Sequence, residues 1–138
     1  GEIITEQIRN SEISKFSSEI AVHIPLRKEI LIFQRNFYHG NGLVAEGRDM
    51  TTVVFPDADL KVYLDASTKE RANRRYKQLI LKGNNVNIVD LTSEIEARDK
   101  RDMEREVSPL KVADEAKILT TDDLSVDQTV DKILSFIA

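Results

Sequence analysis

Gly42-Leu43-Val44-Ala45-Glu46-Gly47-Arg48-Asp49-Met50 is an apolar run that stops at a glycine and presents an arginine and an aspartate just beyond it. A short apolar run bounded by Gly42 and Gly47 reads as a strand covered on both faces, the pattern of a parallel sheet. Ligands of open parallel sheets bind beyond the carboxyl ends of the strands, which would place Arg48 and Asp49 at the rim of a site. A surface turn with a solvated ion pair accounts for the same nine residues, and this stretch alone leaves both readings open.

The neighbouring segments favour the sheet. Lys61-Val62-Tyr63-Leu64-Asp65-Ala66 predicts a second strand, and Ser67 with Glu70 opens a capping box for a helix that Gly83 closes. A helix-length segment runs from about Asp90 to Glu106 and is ended by Ser108-Pro109, because the residue before a proline is pushed out of the helical region. Lys117-Ile118-Leu119-Thr120-Thr121 predicts a third strand, and Ser125 with Gln128 caps a last amphipathic helix through Val130, Ile133, Leu134 and Ile137. Upstream, Ile13, Phe16 and Ile20 recur at helical spacing, Pro25 interrupts, and Leu26, Ile30, Phe33 and Phe37 resume it, so two helices meet near Pro25. Strands alternating with helices predict an α/β domain with a parallel sheet, since parallel neighbours need a helical crossover. Residues 1–39 form a mostly helical block ahead of it.

Composition narrows the function classes. The 138 residues suffice for one modest domain. A net charge of -4 gives no bulk attraction to nucleic acid. Cysteine is absent and there are two histidines, His23 and His39, which excludes a disulfide framework, a thiolate metal site and a histidine-rich metal centre. A reducing, cytoplasmic location fits. No apolar run reaches the roughly 18 residues of a membrane span, and Gly1-Glu2-Ile3-Ile4-Thr5-Glu6 has neither the basic region nor the apolar core of a signal peptide. His23 and His39 read as structural, and Met50 and Met103 as packing residues.

The run Glu94-Ile95-Glu96-Ala97-Arg98-Asp99-Lys100-Arg101-Asp102-Met103-Glu104-Arg105 is dense in both charges. On a helix, Arg98, Asp102 and Arg105 stand at i, i+4 and i+7 and share a face. A solvated helix with alternating ion pairs is one reading. The other is ligand recognition: guanidiniums grip phosphate oxygens in pairs, and an interposed carboxylate accepts hydrogen bonds from sugar hydroxyls. A nucleoside monophosphate offers both groups.

Gly47-Arg48-Asp49-Met50, Thr52-Val53-Val54-Phe55-Pro56, Arg98-Asp99-Lys100-Arg101-Asp102 and Val107-Ser108-Pro109-Leu110 resemble, in that order and spacing, the signature blocks of bacterial cytidylate (CMP) kinases. The resemblance covers essentially the whole chain. It implies a P-loop nucleoside monophosphate kinase fold with a parallel sheet and flanking helices, incomplete on its N-terminal side. Residues 1–39 would belong to the monophosphate-binding insert, and residues 40–138 to the core α/β domain with a short lid around 71–90. The implied reaction moves the γ-phosphoryl of ATP, with Mg2+, to CMP or dCMP, giving CDP or dCDP and ADP. The family's glycine-rich loop ending in Gly-Lys, which holds the donor's phosphates, has no counterpart among the 5 glycines here. That loop's strand lies, in the family, between the strands matched by Leu43–Ala45 and Val62–Leu64. An N-terminal P-loop segment is thus an expected partner, and without it the sheet should be open in the middle and unstable.

Carried over position by position, the resemblance implies that Arg27 and Asp49 read the cytosine ring, and that Ser18, Arg98 and Asp102 surround the ribose. Arg48 and Arg105 would hold the acceptor's phosphate. Arg71 and Arg75, four residues apart after the second strand, would close over ATP; a basic helix face exposed to water is the alternative. Two positions depart from the family pattern: Thr51 replaces a glycine, and Glu104 adds a negative charge beside Arg105. Two other functions remain open at the level of sequence: a non-catalytic nucleotide-binding or interaction module that retains the CMP pocket, and a kinase for a different monophosphate such as UMP.

Overall fold

The computed structural model describes residue 8 and residues 11–137. The chain begins with two helices, α1 (Ser11–Ile20) and α2 (Ile24–Arg35). Pro25 lies in the first turn of α2 and starts that helix, since a proline there gives up an amide that has no intrahelical partner anyway. A parallel pair follows, β1 (Val62–Asp65) and β2 (Lys117–Thr120), in the register Val62 to Lys117 through Asp65 to Thr120. Two helices lie between them in sequence, α3 (Thr68–Leu81) and α4 (Ile88–Glu104), and α5 (Val126–Leu134) comes last. Helix α3 packs on α4, and α1 also packs on α4.

Caps set the ends. Ser67 Oγ accepts from the Glu70 amide at 3.2 Å, but Glu70 does not return the bond. Its carboxylate pairs with Arg74 at 2.8 Å, and the Ser67 amide is taken by both carboxylate oxygens of Asp122 at 3.1 Å. Gly83 adopts φ +79° after the end of α3, a left-handed conformation that glycine adopts without a Cβ penalty. At α5 the reciprocal box of Ser125 and Gln128 is complete. Helix α4 starts two residues earlier than expected because Asn87 caps it, its Oδ1 accepting from the Val89 amide at 2.8 Å.

Two expectations are corrected. Leu43–Ala45 forms no strand, and Val44 is fully exposed. An apolar run becomes a buried strand only where a neighbouring strand completes its ladder, and among the described residues β1 and β2 pair with each other alone. Helix α4 also ends at Glu104, before Ser108-Pro109, because Arg105 turns to extended backbone at ψ 139° and the Leu110 amide donates to the Asp102 carbonyl at 2.7 Å. A further element was not anticipated. Met50–Val54 forms one wide helical turn in which the Val54 amide donates to the Asp49 carbonyl at 3.2 Å and the Phe55 amide to the Met50 carbonyl at 2.7 Å. These five-residue spans make it a π-turn, a form found often at functional sites.

The most deeply buried positions are divided between small or medium apolar side chains (Val54, Ala66, Ala72, Leu91, Ala113) and polar ones (Ser18, Asp49, Asp99, Asp102, Thr121). The centre of the described chain is therefore a hydrogen-bonded charged cluster as much as an apolar core, and buried charges persist only when paired.

Candidate functional site

Arg27 sits in the first turns of α2, and Asp49 stands immediately before the π-turn, whose Thr52, Val53 and Val54 amides all converge on the Asp49 carbonyl. The two side chains form a close ion pair through Arg27 Nη2 and Asp49 Oδ2. Arg27 Nη1 donates to the Ala21 carbonyl at 3.2 Å, which orients the guanidinium from the link between α1 and α2. Together with Ser17, Ile20, Leu26 and Gln34 the pair lines a cleft of about 320 Å³. Its walls are apolar with one charged edge, suited to a flat ring that carries hydrogen-bonding groups on its rim.

Beside it, Asp102 of α4 is 1% exposed and collects four side chains. Ser18 Oγ of α1 donates to Oδ1 at 2.8 Å, and Arg105 Nη1 lies 3.6 Å from the same oxygen. Arg48 Nε and Arg98 Nε stand 3.1 and 3.5 Å from Oδ2. Neither contact to Oδ2 has hydrogen-bonding geometry, so Asp102 Oδ2 and Arg98 Nε are buried polar atoms with no hydrogen-bond partner in the structure. The two atoms face each other as an ion pair 3.5 Å apart, and both are shut off from solvent. Arg105 reaches Asp102 from the C-cap of α4, not from a helical face as its spacing suggested, and its Nε donates to the Ser108 carbonyl at 2.7 Å. Ser108 meets that bond with a left-handed φ of 49°. Burial lowers the Arg105 pKa; Asp102 opposes this, Arg27 lowers it further, Asp49 opposes and Arg48 lowers it again. Glu104, by contrast, is exposed and makes no ion pair with Arg105.

The cluster extends through Asp99, one turn before Asp102 on α4. Its Oδ2 is 2.6 Å from Arg71 Nη2 of α3, and its Oδ1 is 3.8 Å from Arg48 Nη2. Arg71 is held further by the Ala66 carbonyl at 3.0 Å and Thr68 Oγ1 at 3.2 Å. Arg75 lies outside this network and makes no ion pair among the described residues. Arg74 between them fastens α3 to the sheet, donating through Nη1 to Thr121 Oγ1 at 3.2 Å and through Nη2 to the Thr121 carbonyl.

A family model described as Cytidylate kinase matches residues 1–138, the whole chain. The chain is 51% identical over 138 residues to a cytidylate kinase of Cupriavidus pinatubonensis, covering all of this chain and 62% of that protein. It is 51% identical to one of Pseudomonas syringae pv. tomato, again over its whole length and 60% of that protein. Cytidylate kinase 1 of Haemophilus influenzae is 47% identical over 134 residues, 97% of this chain and 58% of that protein. The chain belongs to the cytidylate kinase family. It spans about three fifths of the length of these curated relatives.

Within this cytidylate kinase family chain, the structure brings together Ser18, Arg27, Arg48, Asp49, Arg98, Asp102 and Arg105 in two adjoining groups, one around the cleft and one around Asp102. Arg71 joins them through Asp99, and Arg75 does not. Asp99 was passed over because the i, i+4, i+7 argument follows one face; its spacing of i, i+3 to Asp102 was the available signal. His23 and His39 are both exposed. Met50 packs on Gly47, where an added Cβ would come within 2.8 Å of the methionine Cε. Among the described residues no three His, Cys, Asp or Glu side chains converge on a metal position. No helix of the described residues is long and apolar enough to cross a membrane.

Proposed function

We propose that this chain carries the nucleoside monophosphate side of an enzyme that transfers the γ-phosphoryl of ATP, taken with Mg2+, to CMP or dCMP, giving CDP or dCDP and ADP. The observation that supports this best is the paired Arg27 and Asp49 on the edge of the cleft, next to a cluster with surplus positive charge. Asp49 accepts from the exocyclic amino group of cytosine, and Arg27 donates to ring acceptors. Uracil presents a carbonyl at that position, so the fixed carboxylate would face an acceptor, a mismatch of about 1–3 kcal/mol. Arg98, whose side chain is 34% exposed, and Asp102 behind it serve the ribose, with Ser18 holding the other oxygen of Asp102. Arg48 and Arg105 take the acceptor phosphate.

The charge balance supports the last assignment. Five guanidiniums (Arg27, Arg48, Arg71, Arg98, Arg105) face three carboxylates (Asp49, Asp99, Asp102), leaving an excess of two positive charges. A phosphate monoester carries a charge of about -1.5 to -2 at neutral pH. Arg48 keeps 37% of its side chain exposed, so an incoming anion can reach it, and Arg105, 6% exposed, adds its charge from behind. Phosphoryl transfer asks a protein chiefly to align the acceptor and offset charge, which this arrangement does without a general base. For the donor side we assign Arg71 and Arg75, the lid to about 71–90 and the monophosphate-binding insert to 1–39. The phosphate loop ending in Gly-Lys would come from an N-terminal segment, in a cytoplasmic protein.

Calorimetric titration of CMP and UMP into the wild type and Asp49→Asn tests the base reading. Wild type should favour CMP, and the variant should lose about tenfold or more of that preference. Equal discrimination in the two proteins would contradict it. A second reading is a module that retains the CMP pocket and binds CMP without turning it over. A coupled ADP-release assay with ATP, magnesium and CMP separates the two when run on the chain joined to the proposed N-terminal segment, because only the kinase then releases ADP.

A further inference from the structure

Helix α2 and the π-turn touch the proposed base site at one end and are joined again at the other. Arg35, in the last turn of α2, donates from Nε to the Val54 carbonyl and from Nη2 to the Val53 carbonyl, both at 2.9 Å. These carbonyls lie at the end of the π-turn, where helical backbone acceptors run out of intrahelical donors. A planar guanidinium with a fixed fork of donors suits two adjacent carbonyls, and a single ammonium does not. Asp49, at the start of the same turn, is bonded to Arg27, eight residues before Arg35 on the same helix and so about 12 Å along its axis. The turn is therefore clipped to α2 at both ends, one clip inside the cleft and one outside it.

Arg35 touches neither the cleft nor the Asp102 cluster, and it is exposed, so core packing does not account for its two bonds. An exposed Arg contact is worth little unless its geometry is fixed by more than one bond, as here. We infer that Arg35 is a positioning residue for base discrimination: it fixes the register of the π-turn on α2, so that Asp49 meets Arg27 and the ligand at one distance. This rests on the reading of Arg27 and Asp49 as the base-recognising pair. Displacement of a recognition group by about 1 Å is enough to cost orders of magnitude, which is the leverage a remote clip has.

The test uses Arg35→Gln and Arg35→Lys in the full chain, with two readouts. Amide hydrogen exchange without nucleotide reports the clip itself. The Val53, Val54 and Phe55 amides should exchange faster in Arg35→Gln and fall between wild type and Arg35→Gln in Arg35→Lys, which retains one donor to the carbonyls. Titration with CMP and UMP reports positioning. Arg35→Gln should lower the CMP-to-UMP affinity ratio by about tenfold, with partial rescue in Arg35→Lys. Unchanged exchange overturns the clip, and faster exchange with an unchanged ratio overturns the positioning role, leaving a structural bond. A wild type with no preference for CMP sinks the base reading, and the positioning role with it, whereas a wild-type preference that survives Arg35→Gln sinks the positioning role alone.

Discussion

Asp102 shows what a single residue decides in this molecule. One carboxylate, 1% exposed, faces Arg48, Arg98 and Arg105 while accepting from Ser18. Breaking a buried ion pair by removing one partner leaves uncompensated charge, at a cost of about 3–5 kcal/mol in comparable cases. Asp102→Asn should therefore lower the urea midpoint by an amount equivalent to about 3 kcal/mol. Inorganic phosphate should restore part of it, because the freed guanidiniums then bind the anion. A loss under about 1 kcal/mol, or no response to phosphate, would argue that the arginines already disperse their charge into water. The ion-pair partners were only partly legible in the sequence. Helical spacing brought Arg98 to Asp102, but Arg105 arrives from a non-helical cap, and Asp99 acts through Arg71 on another helix, contacts that no local period encodes. Arg27 and Ser18 were legible only through family resemblance, since nothing in their own neighbourhoods distinguishes them from surface residues.

Among the elements, the join between β2 and α3 is the most informative. Asp122 follows β2 and takes both the amide and the hydroxyl of Ser67, the N-cap of α3, in place of the expected Glu70. The Ser67 side chain and amide hold the Asp122 carboxyl below the ordinary aspartate value of about 3.9, with Arg74 adding to the effect and desolvation opposing it. A depressed folded-state pKa contributes stability that is fully present above the unfolded value. It is lost as the pH falls from about 3.9 through the folded pKa. Asp122→Asn should flatten the acid limb of a plot of stability against pH in that window and leave the profile above pH 5 parallel to wild type. An unchanged acid limb would assign the acid sensitivity to other carboxylates. Ser67→Ala should cost about 1 kcal/mol, because it removes both the cap and this partner. Helices and caps were well anticipated, since capping residues and apolar period are local signals. The strand expected at Leu43–Ala45 does not form, because a strand exists only through a neighbour. The π-turn at Met50–Val54 escaped because no residue type demands its five-residue spans.

At the scale of the whole molecule, large apolar side chains are left uncovered on several elements at once. Leu64 of β1 and Ile118 of β2 are 52% and 61% exposed, and Val126, Val130 and Leu134 of α5 are exposed along with Val44. A sheet of two parallel strands is marginal in water, and Leu64 and Ile118, one register position apart, stand on opposite faces of it, so both faces carry uncovered apolar side chains. The best-buried positions are as often polar as apolar, so hydrophobic burial contributes less to cooperativity than in an ordinary domain of this length. The 138-residue chain studied alone should therefore melt over a broad temperature range and bind a hydrophobic dye in the native baseline. On the function proposed above, CMP should sharpen the transition and raise its midpoint, because it would tie α1, α2, the π-turn and α4 together through the cleft and the Asp102 cluster. The dye signal should survive CMP, since none of the uncovered residues on β1, β2 or α5 lines the cleft. A sharp melt with no dye binding would mean that these apolar side chains are covered by the chain itself in solution. Loss of dye on adding CMP would instead mean that ligand binding and the covering of these side chains are coupled, which the separation of the two regions in the structure argues against.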